Sequence, residues 1–495
     1  MNILDRIHAW SINTPNHLAY VRGESVLSYQ DLEEKSNWLA TYFSDSLPND
    51  RAPIAIIGHK EPEMLITFLA AVKSGHPYIP IDTATPSQRI EAIIEKSKAA
   101  LRLTPGNVQQ LLVEQNLPAG HLSPQPKLPH EIKLEDAWYI IFTSGSTGEP
   151  KGVVITTACL ESFVTWMLDE QHLSEQSEIF INQAPFSFDL SVMELYLSLS
   201  TGGTIFSLSR DEISEPKELF KTLASSSATV WVSTPSFAQM CLFEPTFSEK
   251  LLPRMRKFLF CGETLPPEVA ASLLNRFPKA EVWNTYGPTE ATCATTSLQI
   301  TQNVIAKYNP LPVGYPKSDS DIRVMKADGS GCAESERGEI IIAGPNVSPG
   351  YLGQPELTAK AFFKLGELQA YRTGDTGHFE QGMLFFDGRQ DNQIKLHGYR
   401  IELGDIESNL QALPTIRDAV VLPHLKNGLP DFLAAFIILN TGPVPGEFET
   451  TRGLKRELRK RLPDYMVPHK FYYPDKFPMT ANGKIDRRKL AESMK

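Results

Sequence analysis

Short apolar runs alternate with helical patterns along the first 390 or so residues, and this alternation confines the chain to a layered α/β architecture. Residues 52–58 read as a buried strand. Met64, Leu65, Phe68, Leu69 and Val72 then recur at helical spacing, and residues 78–81 resume a strand. The unit returns twice: residues 229–232 before a helix at 237–240, and 258–261 before a helix at 267–277. At 495 residues the chain exceeds what one core can hold, so at least two domains are expected. A polar, turn-forming boundary, Gly388-Arg389-Gln390-Asp391-Asn392, follows the strand-like Leu384-Phe385-Phe386. It divides residues 1–390 from 391–495. The second part reads as a compact α+β unit. A helix begins at 406–410, strands follow at 419–422 and 432–438, and a basic amphipathic helix covers 454–462.

Composition excludes several classes. Apolar content of 41% and charged content of 21% are those of an ordinary globular protein, with no run of membrane-spanning or signal-peptide length. Membrane insertion is therefore not expected. The five cysteines form no Cys-x-x-Cys pair, which argues against a disulfide framework or zinc site and for a reducing, cytoplasmic compartment. A net charge of −10 argues against nucleic acid as a partner. Residues 391–495 nevertheless carry 17 Lys+Arg against 13 Asp+Glu, a balance of +4, leaving −14 on the rest. A small basic part on a large acidic one suits two different partners, although ordinary surface variation gives the same picture.

Between two strand-like runs, at 137–142 and 153–155, lies Thr143-Ser144-Gly145-Ser146-Thr147-Gly148-Glu149-Pro150-Lys151-Gly152. Unhindered backbone N–H groups, several hydroxyls and one ammonium suit a polyphosphate. The spacing is not that of a Walker loop, and a plain connecting loop uses the same residues. A second signal is Asn284-Thr285-Tyr286-Gly287-Pro288-Thr289-Glu290, which presents a hydroxyl and a carboxylate at a Gly-Pro turn. Hard oxygens of this kind suit Mg²⁺; a helix start with an acidic first turn reads the same way. A third is Tyr371-Arg372-Thr373-Gly374-Asp375, an acidic residue at an expected turn that can take ribose hydroxyls. A fourth is Lys395-Leu396-His397-Gly398-Tyr399-Arg400-Ile401-Glu402, read as a strand interrupted by glycine. Last comes Asn482-Gly483-Lys484, a lysine at a tight bend.

The order and wording of these segments resemble the adenylate-forming (ANL) superfamily, in particular its amino-acid-adenylating domains. Lys73-Ser74-Gly75-His76-Pro77-Tyr78-Ile79-Pro80 adds to the likeness, which covers essentially the whole chain. Gln183-Ala184-Pro185-Phe186-Ser187-Phe188-Asp189-Leu190-Ser191-Val192-Met193 and Phe258-Leu259-Phe260-Cys261-Gly262-Glu263 narrow it to the D-alanine–carrier protein ligase family. The resemblance implies a large layered α/β N-terminal domain and a small mobile α+β C-terminal domain turning about a hinge at Asp391. It implies ATP with Mg²⁺, activation of D-alanine to D-alanyl-AMP, and transfer to the phosphopantetheine thiol of an acidic carrier protein, for D-alanylation of teichoic acids. No carrier segment follows Lys495, so the carrier is expected to act in trans.

The resemblance also implies residue roles. Thr143 and Ser144 would hold the β- and γ-phosphates, with Lys151 there or pinning the loop. Asn284 and Tyr286 would flank the adenine, and Thr285, Gly287, Pro288, Thr289 and Phe386 would also bind ATP. Asp375 and Arg389 would take the ribose, and Glu290 with Thr289 the Mg²⁺. Lys484 would bridge the substrate carboxylate and the α-phosphate as the catalytic residue. Asp189 would take the substrate ammonium, because a buried carboxylate needs a cation. Cys261 and Cys293 would line the side-chain pocket. Position 293 is often valine in that family, so Cys293 is a departure that bears on selectivity. Another small amino acid in peptide synthesis, a simple acid passed to CoA, and a silent nucleotide-binding protein are the alternatives. Asp189 speaks against the second, and retention of Lys484 and Glu290 against the third.

Overall fold

The structure is a computed structural model that describes residues 2–48, 50–114, 131–145, 149–173, 178–390, 393–396, 398–426, 429–440, 446–479 and 485–494. Contacts divide the chain into two compact units. One comprises residues 1–82, 97–141 and 152–390; the other comprises 391–495 together with 83–96 and 142–151.

The first unit is built on two large sheets and a smaller antiparallel one, so the alternation of strand and helix patterns does produce a layered α/β fold. In the nine-stranded sheet the strands Ile179–Asn182, Val230–Ser233, Lys257–Phe260 and Glu281–Tyr286 touch the site described below. Val230–Ser233 pairs parallel with Ile179–Asn182 and with Lys257–Phe260, which in turn pairs parallel with Glu281–Tyr286. Parallel strands are buried on both faces and need helical crossovers. The helices Pro235–Leu242 and Pro267–Arg276 supply two of them, each starting on proline where the missing N–H costs nothing. In the six-stranded sheet, Ile54–Gly58, Tyr78–Asp82 and Ala137–Thr143 run parallel and side by side. The third sheet carries the long strand Leu368–Glu380, paired with Gly338–Ala343, Phe362–Leu365 and Met383–Arg389.

The fourth sequence signal folds differently from the interrupted strand expected. Gln393–Leu396 and Tyr399–Glu402 pair antiparallel as a hairpin, and Gly398 sits at φ +83°, a turn conformation that glycine takes without strain. Elsewhere in the second unit, Ile416–Lys426, Leu429–Leu439 and Lys470–Tyr472 form a three-stranded sheet. The basic helix spans Glu447–Leu458 rather than 454–462. It starts behind Gly446 at φ +72°, and Pro463 disfavours helical geometry at Leu462.

A fully buried polar cluster fixes the chain just ahead of Asp189. Lys60 Nζ donates to the carbonyls of Asn182 (3.2 Å) and Gln183 (2.9 Å). Asn182 Nδ2 donates to Glu194 Oε1 (2.7 Å) and to the Ala184 carbonyl (3.0 Å). Burial pushes the Glu194 carboxyl up from about 4.5 to about 8 and the Lys60 ammonium down to about 7; Asp82, Arg22 and Glu212 also face Lys60. Glu194 is thus held protonated in the fold at neutral pH while the unfolded chain ionises it. Its stabilisation is complete below about pH 4.5 and is lost as pH climbs towards 8. Glu194→Gln, which mimics the protonated acid, is expected to stabilise the protein at pH 7.5 by on the order of 3 kcal/mol. Thermal melts across pH should show the gain at pH 7.5 and its disappearance near pH 5. A variant no more stable than wild type at pH 7.5 would show that Glu194 is ionised there.

Candidate active site

The strand Glu281–Tyr286 delivers the second sequence signal, with Asn284, Thr285 and Tyr286 all buried at its end. Asn284 Nδ2 donates to the Pro312 carbonyl at 2.8 Å, and the Thr285 hydroxyl donates to the Phe260 carbonyl at 2.9 Å. The chain then turns through Gly287 and Pro288 into a single 3₁₀ turn, Thr289–Ala291. Gly287 is required sterically, because a Cβ there would lie 2.7 Å from Ala294 Cα and 2.8 Å from the Cys293 carbonyl oxygen. Neither Thr289 nor Glu290 caps a helix; Pro288 holds the cap position and makes no side-chain cap bond. Glu290 is fully buried, and its Oε1 accepts from the Tyr351 hydroxyl at 2.8 Å.

Asp375 is not in a turn. It lies within the strand Leu368–Glu380 opposite Arg389 on Met383–Arg389. Gly374 at φ +69° and register shifts in both neighbouring pairings show why the segment looks like a turn in sequence: the strand is bulged there. The carboxylate of Asp375 accepts from the Tyr286 hydroxyl at 2.5 Å and pairs with the Arg389 guanidinium. Arg389 also donates to the Thr373 carbonyl at 3.1 Å, and the Thr373 hydroxyl accepts from the Asp375 N–H at 2.9 Å. Burial, then the Asp375 charge, hold the Tyr286 phenol well above its ordinary value, so it stays a donor. The Phe386 ring lies 6.0 Å from that of Tyr286. Five residues named from sequence, Asn284, Tyr286, Asp375, Phe386 and Arg389, therefore come together through a strand end and a bulged hairpin.

A second group gathers around Asp189. This residue precedes the helix Leu190–Thr201 but makes no side-chain cap bond to it, so the capping role that would have undone its assignment is absent. Cys261, one residue past the strand Lys257–Phe260, and Cys293 are both buried, and Cys261 Sγ donates to the Cys293 carbonyl at 3.4 Å. Contact with the Cys261 thiol, then burial, push the Cys293 thiol well up, and the charge of Asp189 adds to this. Thr292 and Cys293 occupy left-handed backbone at φ +56° and +68°. That strain is held by the Thr292 hydroxyl bonding the Asn346 carbonyl (2.7 Å) and by Asn346 Nδ2 bonding the Ala291 carbonyl (2.8 Å).

Sequence reading missed Tyr139. Its hydroxyl is buried with no hydrogen-bond partner among the described residues. Burial raises this phenol well above its ordinary value, and the charge of Asp189 raises it further. Nothing in the apolar run 137–142 marks that position. Tyr351, Thr373 and Asn346 were likewise invisible, since each acts on a residue distant in sequence.

In the second unit, Thr143 ends the strand Ala137–Thr143, and its Oγ1 has no partner among the described residues. Ser144 is buried. Its hydroxyl donates to the Arg400 carbonyl at 2.9 Å and accepts from the Glu402 N–H at 3.2 Å. Lys151 is also buried. Residues 146–148, the hinge candidate Asp391 and the catalytic candidate Lys484 lie outside the described residues.

Known proteins bear on what these groups do. A profile of the AMP-binding enzyme family matches residues 7–352, and one of the AMP-binding enzyme C-terminal domain matches residues 405–484. The chain belongs to the AMP-binding enzyme family. Within it, proteins named D-alanine--D-alanyl carrier protein ligase from Bacillus cereus (strain ZK / E33L) and Bacillus thuringiensis (strain Al Hakam) are each 48% identical over 499 residues, covering 99% of either chain. This AMP-binding enzyme is accordingly an AMP-forming ligase. In fold it resembles the Vibrio cholerae adenylation domain AlmE solved with glycyl-adenosine-5'-phosphate. That match has a TM-score of 0.83 and 22% identity, covering 99% of this chain and 96% of that one. It also resembles the amide bond synthetase McbA from Marinactinospora thermotolerans, with a TM-score of 0.82 and 20% identity over 100% and 99% of the two chains. Among the described residues no helix is long and apolar enough to cross a membrane.

Proposed function

We propose that this ligase activates D-alanine with ATP to form D-alanyl-AMP and passes the D-alanyl group to the phosphopantetheine thiol of an acidic carrier protein acting in trans. The cytoplasm is the proposed compartment and teichoic acid D-alanylation the proposed use. One observation carries the reading: the Asp189 carboxylate makes no side-chain cap bond to its helix, and its charge is felt at the buried Cys293 thiol, which the Cys261 thiol contacts. A carboxylate selects an ammonium, and the thiols leave room for a small side chain. The full-length relatives named for D-alanine agree with it.

An amino-acid carboxylate must attack the α-phosphorus of a polyanion, so catalysis rests on positioning and on neutralising charge. Lys484 is proposed to bridge the carboxylate and the α-phosphate where charge grows. Thr143 and Ser144 are proposed to take the β- and γ-phosphates, and the unpartnered Thr143 hydroxyl supports this. Asp375 has two lone pairs engaged by Tyr286 and Arg389, which leaves capacity for ribose hydroxyls. Asn284 and Tyr286 are proposed to flank the nucleotide base, with Thr285, Gly287, Pro288, Thr289 and Phe386 as further ATP-binding residues.

The donor set at Glu290 and Thr289 fits Mg²⁺. It offers hard oxygens, as suits a cation completed by phosphates and water. Bound there, the ion would neutralise phosphate charge. A hinge at Asp391 is proposed to separate adenylation from thiol transfer, and the +4 balance of residues 391–495 is proposed to attract the acidic carrier.

ATP–pyrophosphate exchange with D-alanine, L-alanine, glycine and D-serine tests the reading. D-alanine is expected to stimulate exchange at least about tenfold more than the others, a difference of about 1.4 kcal/mol in transition-state binding. Greatest stimulation by L-alanine or glycine would overturn the choice of amino acid.

A further inference from the structure

The two thiols beside Asp189 form a pair whose sulfur chemistry the adenylation step does not use. Cys261 Sγ lies 3.4 Å from the Cys293 carbonyl oxygen. A carbonyl oxygen is about 2.4 Å from its own Cα by standard backbone dimensions, so the Cys261 sulfur lies within about 6 Å of Cys293 Cα. The Cys261 thiol also contacts the Cys293 thiol itself, and a disulfide between them needs the two sulfurs to close to about 2 Å. The remaining cysteines are differently placed. Cys241 sits in a separate apolar cluster, Cys332 is partly exposed, and the Cys159 thiol donates to the Val347 carbonyl at 3.3 Å.

We propose that Cys261 and Cys293 are a modification site: a thiol pair that a peroxide closes to a disulfide across the amino-acid pocket, blocking substrate entry. The pair's position in that pocket rests on the function proposed above. The Cys261 thiolate attacks one oxygen of hydrogen peroxide. The O–O bond breaks, hydroxide leaves and takes up the released proton as water, and Cys261 becomes a sulfenic acid. The Cys293 sulfur then attacks the Cys261 sulfur, the S–O bond breaks, and the departing hydroxide takes the Cys293 proton as a second water. Two thiols are oxidised to one disulfide and one peroxide is reduced to two waters. Both thiols are 3% exposed or less, and the Cys293 thiol resists ionisation. The reaction is therefore slow, needs an empty pocket, and reverses under reducing conditions. Valine at 293 would remove the partner sulfur.

The test treats the wild-type protein with hydrogen peroxide and maps its peptides without reduction, alongside ATP–pyrophosphate exchange. A linked peptide pair containing Cys261 and Cys293 is expected, with exchange lost in proportion to linkage and recovered with dithiothreitol. D-alanine with ATP at ten times its Kd should slow linkage about tenfold. Cys293→Val, measured against its own untreated rate, should keep its exchange in peroxide. Loss of wild-type exchange without the linked pair, or undiminished peroxide sensitivity in Cys293→Val, would overturn the proposal. Protection by glycine or L-alanine but not D-alanine would support the thiol pair and overturn the D-alanine reading instead.

Discussion

Lys484→Ala is expected to lower D-alanine-dependent ATP–pyrophosphate exchange by about 10³-fold. The proposed reaction joins two anions, and the transition state places extra negative charge between carboxylate and α-phosphate. A single pre-organised donor at such a point contributes about 10²–10³ in rate, and a full positive charge sits at the upper end. Two further measurements separate chemistry from folding. ATP affinity should change little, because the base, ribose and β/γ-phosphate contacts proposed for Asn284, Asp375 and Thr143 are untouched. Transfer from supplied D-alanyl-AMP to the carrier thiol should persist, since that step breaks the bond to the phosphate without a new anion approaching it. Exchange unchanged in Lys484→Ala would remove this residue from the mechanism, and loss of ATP binding would make it a binding residue instead.

What the sequence made legible follows from the range of the interactions. Periodicity is local, so the strands Ile54–Gly58 and Lys257–Phe260 and the helices Pro62–Lys73 and Pro267–Arg276 are where apolar spacing puts them. The segment 284–290 was legible because glycine and proline punctuate it. Asp375 was not legible as a strand residue, because Gly374 marks a bulge as readily as a turn. The contacts that tune the site are long-range and left no local trace. Tyr351 reaches Glu290 across 61 positions and Tyr286 reaches Asp375 across 89. The left-handed backbone at Thr292 and Cys293 is equally silent, because neither is a glycine, and the bonds with Asn346 that hold it come from another part of the chain.

Asp189→Asn is expected to lower kcat/KM for D-alanine by about 10²–10³. Asn keeps the size of the side chain and one acceptor oxygen but removes the charge, so the substrate ammonium enters a pocket with no counter-charge. Breaking a desolvated ion pair from one side costs about 3–5 kcal/mol, and the lower part of that range gives the stated factor. The loss belongs in KM as well as kcat, because the ammonium is held in the ground state and also fixes the carboxylate for attack. The KM for ATP should hold, since the ribose and base contacts are proposed for Asp375, Arg389, Asn284 and Tyr286, which the substitution leaves in place. The helix Leu190–Thr201 should also hold, because Asp189 makes no capping bond to lose. A substrate without an ammonium discriminates further. Propionate shares the carbon skeleton of D-alanine, so its slow activation should be unchanged or improved in Asp189→Asn, once the carboxylate near its path is neutral. Equal losses for D-alanine and propionate would mean that Asp189 shapes the pocket rather than reading the charge. The ammonium would then need another partner, and the unpartnered Tyr139 hydroxyl beside Asp189 is the first group to replace.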